Sequence, residues 1–366
     1  MEEIICQGCG IAIQTSEPSE PGYAPKAALN REEVICKRCF RLKHYNEVQD
    51  VPYTDDDFLK MLQEISGSKA LVVQLVDIFD FNGSFIPGLK RLTGQNPVVL
   101  VGNKIDVLPH SANPNKVKQW LRAAAKEQGL KVEDVFLISA QTGQGIDELS
   151  YSIDKYRDGR DVYVVGTTNV GKSTFINRLI NQTSGAEDII TTSYFPGTTL
   201  GFIDIPLDGN SSMYDTPGVI HRHQMAHYVS DHDLKLITPR KEVKPKVYQL
   251  NAEQTLYFGG LARLDFESGE RSSFICYFAN ELIIHRTKLE KADELYDNHL
   301  GELLSPPDKE TIKILPPLKA HQFKVSEDKT DIVFSGLGWV TVPAGGVTVT
   351  AHVPEGVKVS LRPSLI

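Results

Sequence analysis

The sequence predicts a doubly wound α/β domain, preceded by a four-cysteine module and followed by a mainly β domain. Three observations carry this reading. Between about residues 51 and 230, apolar β-branched runs alternate with amphipathic helical segments. One of those runs meets a helix through a Gly-rich turn at Gly166–Ser173. Beyond residue 231 the pattern becomes short strand-like runs bounded by turn residues. A chain of 366 residues is too long for one ordinary core, and the boundaries fall at 1–50, 51–230 and 231–366.

Taken in order, Asp55–Ile65 reads as a helix, with Phe58, Leu59, Leu62 and Ile65 at helical spacing. Lys69–Ile78, Pro97–Val101 and Val135–Ile138 suit strands buried on both faces. A helix lies between the last two: Asn113 caps it, Pro114 fits its first turn, Val117, Trp120, Leu121 and Ala124 share a face, and Gly129 ends it. A second helix spans about Ile146–Tyr156. Asp161–Val165 is another buried strand, followed by the Gly-rich turn and a helix through Ser173–Ile180. Strands near Leu200–Ile205 and Ser212–Asp215 close the alternation. The last domain is expected to hold strands at Lys244–Leu250, Thr255–Phe258, Ala262–Phe266, Ser272–Phe278 and Leu282–Arg286, one helix at Leu289–His299, and further short strands over Phe323–Leu361.

Composition bounds the function classes. Hydrophobic content of 41% and charged content of 23% are those of a globular protein. A net charge of −8 and pI near 5.7 exclude a chain coated in positive charge, so nucleic-acid contact has to come from local basic patches. No sequence-specific reading of DNA is expected. No apolar run is long enough to cross a bilayer, and Met1–Cys6 has neither a basic n-region nor an Arg-rich presequence, so the expected compartment is the cytoplasm.

The turn Gly166-Thr167-Thr168-Asn169-Val170-Gly171-Lys172-Ser173 matches G-x-x-x-x-G-K-[ST] between a strand and a helix. Such a loop presents backbone N–H groups and a helix N-terminus to phosphate oxygens. Lys172 places a charge at the β- and γ-phosphates, and the Ser173 hydroxyl is set to bind Mg²⁺. Gly166, Asn169, Val170, Gly171, Lys172, Ser173 and Thr174 are therefore taken as nucleotide-binding. Asn103-Lys104-Ile105-Asp106 resembles the guanine-reading N-K-x-D motif of GTPases. The Asp106 carboxylate can accept from guanine N1–H and the 2-amino group, neither of which adenine offers. Ser139-Ala140 resembles the motif whose backbone N–H fixes the guanine carbonyl. Asp215-Thr216-Pro217-Gly218 resembles the D-x-x-G element that links Mg²⁺ and γ-phosphate, with Asp215 and Gly218 its defining residues. Pro196-Gly197-Thr198-Thr199 lies where a switch threonine belongs, and resemblance to permuted GTPases favours Thr199 over Thr198 as Mg²⁺ ligand. Together these segments describe a site for GTP and GDP.

Their order is permuted: N-K-x-D and Ser-Ala precede the P-loop instead of following it. Permutation is harmless where the same strands pair, because all the loops leave the carboxyl edge of the sheet. It does change where the chain leaves the domain. The segment after Asp215–Gly218 runs through His221–Ser230 into the C-terminal domain, so loss of γ-phosphate is expected to reposition that domain. Val219 occupies the place where many GTPases carry a water-orienting Gln, which predicts slow intrinsic turnover unless Val219 is simply packing. Asn169 stands where a Gln-less group of GTPases binds K⁺; the competing reading is a polar residue that stabilises its own loop. Lys172, Asn169 and Thr199 are the candidate catalytic residues.

Cys6-x-x-Cys9 and Cys36-x-x-Cys39 form two knuckles able to complete a closed, structural Zn²⁺ site, with redox pairs as the alternative. Lys37, Arg38, Arg41, Lys43 and His44, interleaved with Phe40 and Tyr45, suit RNA or form a solvated rim. Lys235, Arg240, Lys241, Lys244 and Lys246 make a second cluster, or a linker. Cys276 reads as ordinary core.

With the stretch Val76-Asp-Ile-Phe-Asp-Phe-Asn-Gly-Ser84, these features closely resemble the bacterial YqeH family of circularly permuted GTPases, over essentially the whole chain. The resemblance implies a GTP-controlled assembly factor for the small (30S) ribosomal subunit, with that subunit or 16S rRNA as partner and a C-terminal region similar to an RNA-binding attenuation protein. The alternative is a nucleotide-sensing adaptor that binds proteins through its zinc and C-terminal domains.

Overall fold

The computed structural model describes residues 4–7, 11–18, 20, 22–30, 34–37, 39–40, 65–183, 203–216, 218 and 221–366. The expected helix at Asp55–Ile65 falls outside these but for its last residue. Two compact units emerge: one spans 1–78, 84–105 and 114–220, the other 79–83, 106–113 and 221–366.

The first unit is built on six strands: β1 (Ala70–Asp77), β2 (Val98–Asn103), β3 (Asp134–Leu137), β4 (Asp161–Gly166), β5 (Ile203–Asp208) and β6 (Ser211–Asp215). Their order is β3-β2-β1-β4-β6-β5, and every pairing is parallel except the β5–β6 hairpin. Val- and Leu-rich runs produce strands covered on both faces; β2 is buried along its whole length and β1, Gln74 included, up to its last residue, Asp77. One face packs Leu71, Val73, Leu75, Val99, Val101, Val162 and Val164 against Ile146, Leu149, Phe175 and Ile176. Two helices return the chain between strands: α1 (Pro114–Glu127) buries Val117, Leu121 and Ala125, and α2 (Ile146–Arg157) buries Ile146, Leu149 and Ile153. Gly129 ends α1 as expected, at φ +78°, while Leu130 N–H closes back on Ala125 O at 2.9 Å. The chain lays down β1, β2 and β3 outward, then crosses back to place β4 beside β1. That reversal creates the crevice where open α/β sheets hold ligands.

The second unit contains two five-stranded antiparallel sheets. Their strands are β7 (Lys246–Leu250), β8 (Gln254–Phe258), β9 (Ala262–Ser268), β10 (Ser272–Phe278), β11 (Ile284–Lys288), β12 (Leu318–Val325), β13 (Thr330–Phe334), β14 (Gly338–Val342), β15 (Val347–Pro354) and β16 (Val359–Pro363). The orders are β16-β13-β14-β10-β7 and β11-β8-β9-β15-β12. One core serves both, with Phe258 stacked on Phe278 at 4.2 Å between ring centres and Phe334 edge-on to Phe258 at 5.2 Å. Cys276 is 1% exposed in this core, and burial pushes its thiol well above the ordinary range, so it is inert packing.

The sequence predicts one helix within 231–366, and the structure has three α-helices there: α4 (Asp231–Ile237), α5 (Ala292–His299, entered through a 3₁₀ turn at Leu289–Lys291) and α6 (Lys309–Ile314). The two additional helices are too short to show a helical period, but each is capped. Ser230 Oγ accepts from Asp233 N–H at 3.2 Å, and Asp308 Oδ1 accepts from the N–H groups of Glu310 and Thr311 at 3.0 and 2.7 Å. Residues 79–83, part of the stretch quoted for the family resemblance, are built into this unit. Asp80 accepts from Gln224 Nε2 at 2.9 Å, Asn82 accepts from Arg362 Nη1 at 2.9 Å, and Phe79 lies 4.9 Å from Trp339.

Candidate nucleotide site

β4 ends at Gly166, and the loop that follows turns into helix α3 (Lys172–Thr183). Two of its residues need left-handed backbone: Asn169 at φ +64° and Gly171 at φ +88°. Asn tolerates that region better than most residues, because its short side chain bonds locally. At Gly171 the requirement is spatial as well, since a Cβ there would lie 2.5 Å from Asn103 Nδ2.

That close approach matters because Asn103 ties the loops together. Its Nδ2 donates to Val170 O at 2.8 Å, and its Oδ1 accepts from Ala140 N–H at 2.9 Å, with the side chain buried. The end of β2 thus joins the Gly-rich loop to the Ser139–Ala140 loop. Ser139 is buried, and its Oγ accepts from Thr142 N–H at 3.0 Å, which tightens the same turn. Arg178, from α3, donates Nε–H to Ala140 O at 3.2 Å and Nη2–H to Gln141 O at 2.5 Å.

Lys104 follows at φ +69° and pairs with Asp77, at the carboxyl end of β1, with Nζ 2.6 Å from Oδ2. Neither Asp77 nor Arg178 was singled out from the sequence. Asp77 carries a signal, the one charged residue of β1, placed at its end; Arg178 carries none, since its partners are backbone carbonyls. Further along the chain Asp106 sits in a 3₁₀ turn, Ile105–Val107, and its Oδ1 is buried without a hydrogen-bond partner in the structure. A buried, unpaired carboxylate oxygen is costly, and an N–H donor of the kind guanine offers at N1 and the 2-amino group is what it lacks.

On the phosphate side, Lys172 is 1% exposed and hydrogen-bonds Asp215, which is fully buried. The lysine of the Gly-rich loop and the carboxylate of the D-x-x-G segment therefore converge on one point. Thr216 anchors the end of β6 by donating N–H and Oγ1–H to Val164 O at 3.3 and 2.7 Å. Gly218 lies against the Gly-rich loop, where an added Cβ would be 3.2 Å from Thr168 Cγ2. Ser173 is half-buried in the first turn of α3 and Thr174 is exposed there. Asp215 and Ser173 offer the hard oxygen donors that suit Mg²⁺. Thr198, Thr199 and Val219 lie outside the described residues.

In the same unit the Sγ atoms of Cys6, Cys36 and Cys39 lie within 4.8 Å of one another, all buried and none in a disulfide. Cys36 N–H points at Cys6 Sγ, 3.2 Å away. Thiols gathered at this spacing, with a backbone donor aimed at one sulfur, fit a thiolate-bound zinc ion. Cys9, the expected fourth ligand, lies outside the described residues, as do Arg38, Arg41, Lys43, His44 and Tyr45.

The profile described as "50S ribosome-binding GTPase" matches residues 161–255, and "YqeH-like, C-terminal" matches 271–365. A third profile, described as "Ethanolamine utilisation - propanediol utilisation", matches 25–155. The "Uncharacterized protein YqeH" of Bacillus subtilis (strain 168) is 62% identical over 366 residues, covering 100% of both chains. The chain belongs to the YqeH family. Like the GTPases whose profile it matches, this YqeH-family protein binds GTP and GDP with Mg²⁺ and hydrolyses GTP. The profile match starts at 161 and leaves Asn103–Asp106 outside it, as the permuted order requires. The "NO-associated protein 1, chloroplastic/mitochondrial" of Arabidopsis thaliana is 31% identical, over 98% of this chain and 76% of its own. A solved structure titled "GDP-bound structue of TM YlqF" aligns at 21% identity with a TM-score of 0.28, covering 45% of this chain and 57% of that one. Among the described residues no helix is long and apolar enough to cross a membrane.

Proposed function

We propose that this GTPase is a nucleotide-controlled assembly factor for the small (30S) ribosomal subunit, acting in the cytoplasm. The observation that carries the switch is one of connectivity. β6 ends at Asp215, Gly218 touches the phosphate loop, and the long segment of the second unit opens at His221, three residues on. Any movement of Asp215–Gly218 that follows the γ-phosphate is delivered directly to the start of that unit.

In this reading Lys172 neutralises the β- and γ-phosphates, and Ser173, Asp215 and Thr199 hold Mg²⁺. Asp106 reads the guanine N1–H and 2-amino group, and the Ser139–Ala140 loop meets the carbonyl. Cys6, Cys9, Cys36 and Cys39 hold a structural Zn²⁺. Lys235, Arg240, Lys241 and Lys244 are exposed and supply basic surface for 16S rRNA, while Lys246 is half-buried and donates to Leu282 O at 3.0 Å. We further propose that K⁺, held near Asn169, assists the slow hydrolysis expected from Val219. The left-handed backbone at Asn169 gives that residue a second reason to be there. Asn169→Gly separates the two, because glycine keeps the backbone and removes the carboxamide. Turnover faster in K⁺ than in Na⁺ for wild type but not for Asn169→Gly supports the cation; equal rates in both salts for wild type end it.

Co-sedimentation of the full chain with separated 30S and 50S subunits, in GDP and in a non-hydrolysable GTP analogue, tests the main proposal. Binding to 30S that is stronger with the analogue is expected. The matched GTPase profile carries a 50S description, so preferential binding to 50S would replace the subunit named here. Nucleotide-independent absence from both subunits would leave the protein-binding adaptor instead.

A further inference from the structure

The Ser139–Gly143 loop spends its backbone donors internally, with one exception. Ser139 N–H donates to Gln144 O at 3.0 Å, Ala140 N–H to Asn103 Oδ1 at 2.9 Å, Thr142 N–H to Ser139 Oγ at 3.0 Å and Gly143 N–H to Ser139 O at 2.8 Å. Gln141 N–H donates to no acceptor among the described residues. It belongs to the same planar peptide as Ala140 C=O, and in a trans peptide the two point in opposite directions. Arg178 holds that carbonyl through Nε–H at 3.2 Å and the next one, Gln141 O, through Nη2–H at 2.5 Å. A guanidinium gripping two successive carbonyls fixes both peptide planes that flank Gln141, the 140–141 peptide among them, because its donors form a rigid fork. Gly143, at φ +91°, leaves room for this, since a Cβ there would lie 3.2 Å from Arg178 Nη1.

We propose that Arg178 is a positioning residue for guanine recognition, orienting the 140–141 peptide so that Gln141 N–H donates to the base O6. The proposal rests on the guanine-nucleotide reading of this site. Its consequence is that α3, whose first residue Lys172 serves the phosphates, also sets the donor for the base. A purely structural Arg178 would stabilise the loop without favouring any acceptor on the base.

The test is competitive displacement of a fluorescent GDP from the full chain by GDP, 6-thio-GDP and IDP, for wild type, Arg178→Ala and Arg178→Lys. 6-Thio-GDP keeps N1–H and the 2-amino group but replaces O6 by a weaker acceptor. IDP keeps O6 and lacks only the 2-amino group that Asp106 reads. Wild type is expected to prefer GDP to 6-thio-GDP about five- to tenfold, the worth of one well-aligned hydrogen bond. In Arg178→Ala, GDP binding weakens by a similar factor and that preference falls to within about twofold of unity, while the GDP-to-IDP ratio is unchanged. Arg178→Lys recovers part of the GDP affinity. The proposal is overturned if wild type binds GDP and 6-thio-GDP equally, or if Arg178→Ala weakens both by the same factor. A wild-type protein with no preference for GDP over ADP would instead sink the guanine reading itself, before any variant is made.

Discussion

Asn103→Ala is the most informative single perturbation of the first unit. The Asn103 side chain, 2% exposed, makes one bond to the phosphate loop and one to the Ser139–Ala140 loop, at 2.8 and 2.9 Å. Its partners belong to Val170 and Ala140, which are 1% and 2% exposed, so water does not readily replace it. Removing one partner of a buried hydrogen bond costs about 1–3 kcal/mol, because the other group keeps its desolvation penalty. Two such losses put the total at about 2–6 kcal/mol, a large share of the roughly 5–15 kcal/mol that holds a domain folded. Asn103→Asp refines the argument. It retains the acceptor for Ala140 N–H but sets a carboxylate oxygen against Val170 O, so it should be no more stable than Asn103→Ala. Native-state hydrogen exchange of peptides spanning β2 and the β4–α3 segment measures both effects locally, and GDP affinity should fall alongside. The reasoning is refuted if Asn103→Ala changes exchange free energies at both peptides by under about 0.5 kcal/mol, or if Asn103→Asp matches wild type.

Three further outcomes follow from particular contacts. Gly171→Ala combines left-handed backbone at φ +88° with a Cβ 2.5 Å from Asn103 Nδ2, and should reduce GDP affinity more than about tenfold; near-normal titration would contradict the packing described. The purified protein should carry about one Zn²⁺ per chain, and Cys36→Ser should lose it; metal analysis showing no zinc in either would remove the zinc reading. His223 titrates near about 6.5 when unfolded, whereas in the fold burial, helped by His221 and Lys358, holds it down to about 4. The unfolded chain then takes up the proton first, so this residue's contribution falls as pH drops from about 6.5 to about 4 and is level below. Trp339 fluorescence in a Trp120→Phe background, followed through urea unfolding, should show His223→Gln flattening that slope; an unchanged slope would show that His223 does not cause it.

Much of the first unit was legible because its signals are local. Buried parallel strands read as Val- and Leu-rich runs, and the expected strand Lys69–Ile78 matches β1 to within a residue at each end. In the second unit, Ser272–Phe278 was read with the bounds it has, and Leu289–His299 contains α5. Helices α4 and α6 escaped notice because one or two turns cannot display a period. The grouping of residues 79–83 and 106–113 with the second unit was also invisible, since it depends on partners such as Gln224, Arg362 and Trp339 far along the chain.

The sequence by itself determined the chemistry offered to the nucleotide. The identity and spacing of Lys172, Ser173, Asp106 and Asp215 follow from one-dimensional motifs, because each loop directly follows a strand that places it at the same sheet edge. Only the tertiary structure decided how those loops are joined: Asn103 bridging two of them, Asp77 holding Lys104, and Arg178 gripping the 140–141 peptide. The reason is physical. Two of these three ties end on backbone atoms, which carry no residue identity, and all of them span sequence distances that only the folded sheet brings within hydrogen-bond reach.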